Sequence, residues 1–261
     1  MPRARLSQLD RMSLENQVDR GLYLSVVAPA HNEADNLPRL LDEIAAALAK
    51  LEQRWEVIIT DDASTDGTAA VLRDLRKKYP PLRVLSMRQR SGQTAAVDAG
   101  LRRARGVFIA TLDADLQNDP ADIPRLLEML QAQPQQCGFV NGWRADRHDP
   151  WIRLVSTRIA NRVRNWLTHE QIHDSGCGLR VFRRECIERL KLFNGMHRFL
   201  PTLVKMEGYQ VIEVPVNHRP RTAGQAKYGV LNRVFKALRD AFAVRWMQQR
   251  MLHYECHEWE P

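Results

Sequence analysis

Cysteine is scarce in this chain. Among 261 residues there are four, Cys137, Cys177, Cys186 and Cys256, and no two stand at Cys-x-x-Cys spacing. That spacing argues against a zinc knuckle or dithiol motif and leaves reduced thiols in a cytosolic protein as the expectation. Histidine and cysteine are too scattered for a catalytic zinc site. Long apolar runs are missing too: no stretch approaches the ~18 apolar residues that a membrane-spanning helix needs. Residues 1–20 are polar and charged, unlike a secretory leader. No Gly-x-Gly-x-x-Gly follows the first apolar run, which argues against a dinucleotide oxidoreductase. Ser91-Gly92-Gln93 lacks the Gly-Lys-Ser/Thr ending of a P-loop.

What is present is a basic, well-mixed chain. Lys and Arg number 39 against 31 Asp and Glu, a formal net charge of +8. Such a balance suits an anionic partner: nucleic acid, nucleotide phosphates or an acidic membrane surface. With 44% hydrophobic and 27% charged residues, the length suffices for one large α/β domain or two small ones.

Apolar runs and helical periodicity alternate along the first half. Leu22–Ala30, Trp55–Thr60, Arg83–Met87 and Val107–Leu112 read as strands. Between them, residues 35–51, 65–79 and 94–104 read as helices, the first with Leu37, Leu40, Leu41, Ile44 and Leu48 at helical spacing. Strands alternating with helices predict a mostly parallel sheet covered on both faces. Beyond residue 135 the pattern loosens. Gly138–Trp143 and Val211–Val216 read as strands, Trp151–Leu167 as a helix, and Tyr228–Leu252 as a long basic amphipathic helix. The expected organisation is a mobile arm at 1–20, one domain over 21–227 and a helical extension over 228–261.

Ligands of open parallel sheets bind at the carboxyl ends of strands. Three such ends carry unusual polar groups: Pro29-Ala30-His31-Asn32-Glu33, Asp61-Asp62-Ala63-Ser64-Thr65-Asp66-Gly67-Thr68 and Asp113-Ala114-Asp115-Leu116-Gln117. Taken singly, a Ser-Thr-Asp-Gly stretch is most often a helix cap, and acidic residues after a strand often form turns. Three together, in this order, ask for another reading. Asp-x-Asp in an extended segment turns both carboxylates to one side. A hard divalent cation such as Mg²⁺ takes one or two carboxylates plus substrate phosphates.

These three segments, with Asn118-Asp119-Pro120 after the third, resemble the signatures of inverting family-two glycosyltransferases. Asp-Ala-Asp-Leu-Gln looks like the dolichyl-phosphate mannose synthase and polyprenyl-phosphate glycosyltransferase branch. So do Asn141-Gly142-Trp143-Arg144, Asp174-Ser175-Gly176-Cys177-Gly178-Leu179-Arg180-Val181-Phe182 and Arg219-Pro220-Arg221 with Gly224 and Lys227-Tyr228. The resemblance runs from about Leu22 to Tyr228. It implies a GT-A fold: Rossmann-like, with a mostly parallel central sheet, helices on both faces and a C-terminal amphipathic helix. Carried over residue by residue, Pro29, Ala30, Asn32, Glu33, Asp61, Asp62, Asp113 and Ala114 would form the donor nucleotide pocket. Asp113, Asp115 and Gln117 would hold Mg²⁺ or Mn²⁺. Asp115, Arg144, Arg221 and Lys227 would be catalytic, with Arg144 and Arg158 on the acceptor phosphate. The family often has Ser before the Lys-Tyr pair, where this chain has Ala226.

The implied reaction moves a sugar from a nucleotide-diphosphate sugar, GDP-mannose or a UDP-hexose, to a dolichyl- or undecaprenyl-type polyprenyl phosphate. The alternative keeps fold and donor but uses a sugar hydroxyl in cell-surface polysaccharide assembly. A phosphate monoester is already anionic near neutral pH and needs cations around it, whereas a hydroxyl wants a placed base. Nucleic acid is not an expected partner: acidic strand ends would repel it. The expected location is the cytoplasmic face of a membrane, held peripherally. Trp151–Leu167 and Tyr228–Leu252 interleave aromatics with arginines, as interfacial helices on an anionic membrane do, although either could simply cover the core. An integral membrane partner would supply further anchoring. His197 reads as a packing histidine rather than a catalytic one.

Overall fold

The computed structural model describes residues 21–145, 162–220 and 230–252. The arm at 1–20, Trp151 and the helical start expected there, and the candidates Arg158, Arg221 and Lys227 lie outside the described residues.

Strand β1 (Leu22–Ala30) is buried along nearly its whole length, which is why its sequence is a continuous apolar run rather than an alternating one. Helix α1 (Leu37–Leu48) buries the five residues picked out by periodicity. β2 (Arg54–Asp61), α2 (Thr68–Lys78), β3 (Leu82–Ser86), α3 (Gln93–Arg103) and β4 (Phe108–Thr111) follow. Then come α4 (Asp122–Gln131), β5 (Cys137–Trp143), β6 (Arg180–Arg183), α5 (Leu200–Met206), β7 (Gln210–Pro215) and α6 (Val230–Arg250). Residues 162–168 are also helical.

The seven strands lie in the order β3-β2-β1-β4-β6-β5-β7. β1 to β4 are mutually parallel, and β5 is parallel to β7. β6 alone runs against its neighbours β4 and β5. One core packs α1, α2 and α4 on one face of the sheet. The other packs α3, α5 and α6 on the opposite face, α6 contributing Ala241 and Val244. This is the expected layered α/β architecture. The chain turns from β1 outward to β2 and β3, then returns on the other side as β4, so a crevice opens where the strand order reverses.

Sequence periodicity passed over three elements. α4 and α5 each carry a proline near their start, Pro124 and Pro201, which breaks up an apolar pattern. β6 has four residues, Arg-Val-Phe-Arg, too few for a period to show. α2 begins three residues later than expected because Ser64, Thr65 and Asp66 are engaged in the loop before it.

A buried polar knot ties the sheet together at the other end of β1. Ser25 Oγ donates to Glu56 Oε1 at 2.7 Å and accepts from the Gly106 N–H at 2.9 Å. The Arg105 N–H donates to the same Glu56 oxygen at 2.9 Å, and Arg83 Nη1 reaches Oε2 at 2.6 Å. Glu56 thus accepts from groups of β1, β3 and the turn before β4, sharing the Arg105 N–H with Ser25 Oγ (3.1 Å) and Arg83 Nη1 with the Arg103 carbonyl (2.9 Å). Replacing it by Ala leaves the buried Ser25 hydroxyl without its acceptor, at about 1–3 kcal/mol, and removes one of two acceptors from the Arg105 N–H and from Arg83. Glu56→Ala should lower the melting temperature by roughly 5–10 °C, given about 2–4 °C per kcal/mol in a chain of this size. A melt unchanged by calorimetry would show that the knot contributes nothing.

Candidate active site

All three polar strand ends leave the sheet through a non-glycine residue in the left-handed region: Asn32 (φ 57°), Ala63 (φ 50°) and Leu116 (φ 62°). Asn tolerates this conformation; Ala and Leu do so at about 1–2 kcal/mol each. The first two loops are zipped together. The Asn32 N–H donates to Ser64 Oγ at 2.9 Å and the Thr65 N–H to Asn32 Oδ1 at 2.8 Å. The Glu33 N–H donates to Thr68 Oγ1 at 3.0 Å, and Asn36 Nδ2 donates to Glu33 Oε2 at 2.7 Å. Ala30 pairs in register with Asp61, one step after Pro29 with Thr60. Asp61 Oδ1 accepts from both the N–H and the hydroxyl of Ser64. The proposed nucleotide residues Pro29, Ala30, Asn32, Glu33 and Asp61 therefore form one wall.

Asp62 is close by, and its carboxylate has a structural task. Its two oxygens accept the N–H groups of Ser91 (2.6 Å) and Gly92 (2.8 Å), pinning the loop that starts α3. Gly92 needs its freedom here, with φ at +93°. The pinned loop delivers Gln93, whose Nε2 donates to Asp113 Oδ1 at 2.9 Å. Nothing in Ser91-Gly92-Gln93 itself marks Gln93 as a partner of Asp113.

Strand β4 ends at Thr111, so Asp113-Ala114-Asp115 lies in a turn and not in extended chain. Strand alternation is therefore not what brings the two carboxylates together; the turn around Leu116 does so. Asp115 Oδ1 accepts the Gln117 N–H at 3.2 Å, and Asn118 Oδ1 accepts the Asp113 N–H at 3.3 Å. Burial, with the Asp115 charge adding to it, raises the Asp113 pKa to about 6, against the opposing pull of Arg180, Arg144 and Gln93. Gly178 stands against this carboxylate: a side-chain carbon there would lie 2.4 Å from Asp113 Oδ2. Its carbonyl accepts from Thr111 Oγ1 at 2.8 Å. The late segment closes over the turn through the Arg219 N–H to the Gln117 carbonyl at 2.9 Å. Arg219 also pairs with Glu43 at 2.6 Å and Asp119 at 2.8 Å.

The far wall holds two arginines, Arg144 half-buried and Arg180 buried. Arg144 donates from Nε and Nη2 to the two oxygens of Asp174, at 2.6 and 2.9 Å. Burial works against its charge, and the Asp174 carboxylate outweighs it. Arg180, at the start of β6, lies in the Asp174–Phe182 segment with no local mark of a role in the site. It donates to Asn141 Oδ1 and to the Ser175 and His197 carbonyls, at 3.2, 2.9 and 2.9 Å. Burial lowers its pKa. His197 Nδ1 is 2.6 Å from Thr94 Oγ1 on α3, and burial, with Arg198 and Arg180, holds its pKa down at about 3. That is the hydrogen-bonded packing histidine of the sequence reading. Cys137, Cys177 and Cys186 are buried and unpaired.

No group of three or more His, Cys, Asp or Glu that could cage a metal occurs among the described residues. Asp113, Asp115 and the Gln117 amide nonetheless offer hard oxygen donors, the kind that hold Mg²⁺ or Mn²⁺ when substrate phosphates complete the shell.

The family model described as Glycosyl transferase family 2 matches residues 25–191. Dodecaprenyl-phosphate galacturonate synthase of Rhizobium johnstonii is 36% identical over 238 residues, covering 90% of this chain and 70% of the relative. Undecaprenyl-phosphate 4-deoxy-4-formamido-L-arabinose transferase of Aeromonas hydrophila is 37% identical over 210 residues, covering 80% of this chain but 64% of the relative, under two thirds of its length. Among solved structures, glucosyl-3-phosphoglycerate synthase of Mycobacterium tuberculosis with Mn²⁺, UDP and phosphoglyceric acid superposes with a TM-score of 0.65 at 20% identity, over 97% of this chain and 86% of that one. A mannosyltransferase of Pyrobaculum calidifontis with GDP-mannose and Mn²⁺ gives 0.57 at 20% identity, over 93% and 77%. These two likenesses bear on the fold, which they share.

A raised carboxylate pKa means that the folded, metal-free protein binds the Asp113 proton more tightly than the unfolded chain does. Its charge therefore destabilises the fold as pH rises from about 4 to 6, and the penalty is complete at pH 7. Asp113→Asn removes that charge. In chelator, the variant should melt several degrees above the parent at pH 7 and level with it below pH ~4. A parent that melts higher at pH 7 would contradict the raised pKa.

Proposed function

Since this chain belongs to glycosyl transferase family 2, we propose that it transfers a sugar from a nucleotide-diphosphate donor to the phosphate of a polyprenyl lipid at the cytoplasmic surface of a membrane. The observation that carries this reading is the Asp113–Asp115 pair at the carboxyl end of β4, faced by Arg144 and Arg180. The acceptor class is supported by the relatives named for dodecaprenyl and undecaprenyl phosphates.

The donor nucleotide lies along Pro29, Ala30, Asn32, Glu33 and Asp61, with Ala114 and Asp113 at its diphosphate. Asp113, Asp115 and Gln117 would hold Mg²⁺ or Mn²⁺, which would neutralise charge building on the leaving diphosphate. An oxygen of the acceptor phosphate attacks the anomeric carbon from the side opposite the diphosphate. The new carbon–oxygen bond forms as the old one breaks, its electron pair leaves with the nucleotide diphosphate, and the configuration inverts. No proton needs to move, because the phosphate is already anionic near pH 7. A hydroxyl acceptor would need a base, and His197, held near pKa 3, takes a proton poorly. Bringing two anions together is the main cost, which Arg144, Arg158, Arg221 and Lys227 offset around the phosphates. The lipid does not leave its bilayer cheaply, at about 0.8 kcal/mol for each CH₂ exposed, so the protein comes to it.

The test is a donor screen with GDP-mannose and UDP-hexoses on a short-chain polyprenyl phosphate, reading the mass of the lipid product. Transfer to free sugar hydroxyls, with none to the lipid phosphate, would favour the polysaccharide alternative. Asp115→Asn keeps the shape and removes a charge, and should cut transfer by about a hundredfold or more, as should EDTA. Full activity in EDTA would remove the metal from the scheme. Arg221→Ala and Lys227→Ala should each depress transfer while leaving the melting temperature in place. Unchanged rates at saturating substrates would make both residues solvated surface.

A further inference from the structure

Glu213 is a carboxylate that the reaction scheme leaves unused. It lies on β7, the strand at one edge of the sheet, in register with Asn141 of β5. A charged side chain on an edge strand ordinarily faces water. The Glu213 side chain is only 12% exposed, and both of its oxygens accept from groups of the fold. Oε1 accepts from the Asp174 N–H at 3.3 Å and from Asn141 Nδ2 at 3.2 Å. Oε2 accepts from the His173 N–H at 2.8 Å, with His173 Nδ1 2.7 Å away.

Two of these donors belong to the residues that set the far wall. Asp174 takes Arg144 on both carboxylate oxygens, and Asn141 takes Arg180 Nε on its Oδ1. Asn141 Nδ2 also donates to the Asp174 carbonyl at 2.9 Å. The Asp174 backbone is thus clamped at its N–H by Glu213 and at its carbonyl by Asn141. The Asn141 amide could in principle stand either way round. Flipped, it would turn its NH₂ to the Arg180 guanidinium, donor against donor. An ionised Glu213 can only accept, so it fixes the NH₂ on its own side and the oxygen on the side of Arg180.

We propose that Glu213 is a positioning residue for the far wall, orienting Arg144 through Asp174 and Arg180 through Asn141. The inference deepens the proposed reaction and rests on it only for what the wall grips, an acceptor phosphate; the positioning stands on the hydrogen bonds. It also makes a chemical demand that shape alone does not. In Glu213→Gln one oxygen becomes an NH₂, and whichever way the amide turns, that group meets the backbone N–H of His173 or of Asp174. Glu213 borders a pocket of about 310 Å³ with Trp143 and Lys205, so a side chain of the same size is not squeezed there.

The experiment follows the assigned Nε–H signals of Arg144 and Arg180 by NMR in the full chain and measures their exchange with water. In the parent both should exchange slowly. In Glu213→Gln they should exchange about tenfold faster or more, while the amides of β1 keep the parent's rates and the melt stays cooperative. Parent-like arginine exchange in this variant would overturn the proposal. So would β1 amides that speed up to the same degree, since Glu213 would then serve the fold as a whole. If Glu213→Gln does not fold, Glu213→Asp, which draws both acceptors back by one carbon, is read in the same way: faster arginine exchange supports the proposal and parent-like exchange overturns it. With a nucleotide-diphosphate sugar and a short-chain polyprenyl phosphate, Glu213→Gln should raise KM for the lipid phosphate by about tenfold and leave KM for the donor within about twofold. Faster arginine exchange with both KM values unchanged would keep the positioning role and take Arg144 off the acceptor phosphate. A parent that transfers nothing to lipid phosphate would remove the acceptor reading, and the exchange rates would still decide the role of Glu213.

Discussion

Two carboxylates close together at the end of a buried strand repel each other and resist leaving water. Much of the crevice can be understood as the response to that one constraint. Gln93 donates to Asp113, the Asn118 amide fixes its backbone, and two arginines on the far wall draw its proton affinity back down. These do not cancel the cost, since Asp113 keeps a raised pKa. A site that remains partly uncompensated has something left to gain from a cation, which is the physical sense of preorganisation.

The supporting shell is built from long-range contacts. Asp62 holds a loop about thirty residues on, which presents Gln93; Asp174 holds Arg144 from thirty residues away. Arg144 thus enters the site as half of a bidentate pair, its direction set by a carboxylate that is itself fixed by the Gly176 N–H at 3.1 Å. A positive wall made this way is stiff, and stiffness matters where charges of opposite sign face each other across a narrow gap.

Much of this was legible in the residues. β1, β2 and their loops announced themselves because fully buried parallel strands leave unbroken apolar runs, and because polar clusters at three successive strand ends have few other uses. Asp113, Asp115 and Gln117 stood out for the same reason. Gln93, Arg180 and Asp174 did not stand out as site residues, since nothing local marks a glutamine as the partner of an aspartate twenty residues later or an arginine as buried. Gly178 lies in the Asp174–Phe182 segment, yet its need for a missing side chain exists only once Asp113 is folded against it. Local chemistry is written along the chain; the pairing of distant side chains is a property of the packed sheet.

The reversed direction of β6 has a consequence for charge. In a parallel sheet every neighbour of β4 would also end at the crevice, offering last residues and an outgoing loop. An antiparallel neighbour instead begins there: Thr111, the last residue of β4, stands opposite Arg180, the first of β6. The chain therefore descends past the carboxylates, from Asp174 through Gly178, before it enters the sheet, and its first side chain in the sheet is a guanidinium. Strand polarity, usually treated as a matter of topology, here decides which end of a peptide segment, and so which sign of charge, borders the crevice.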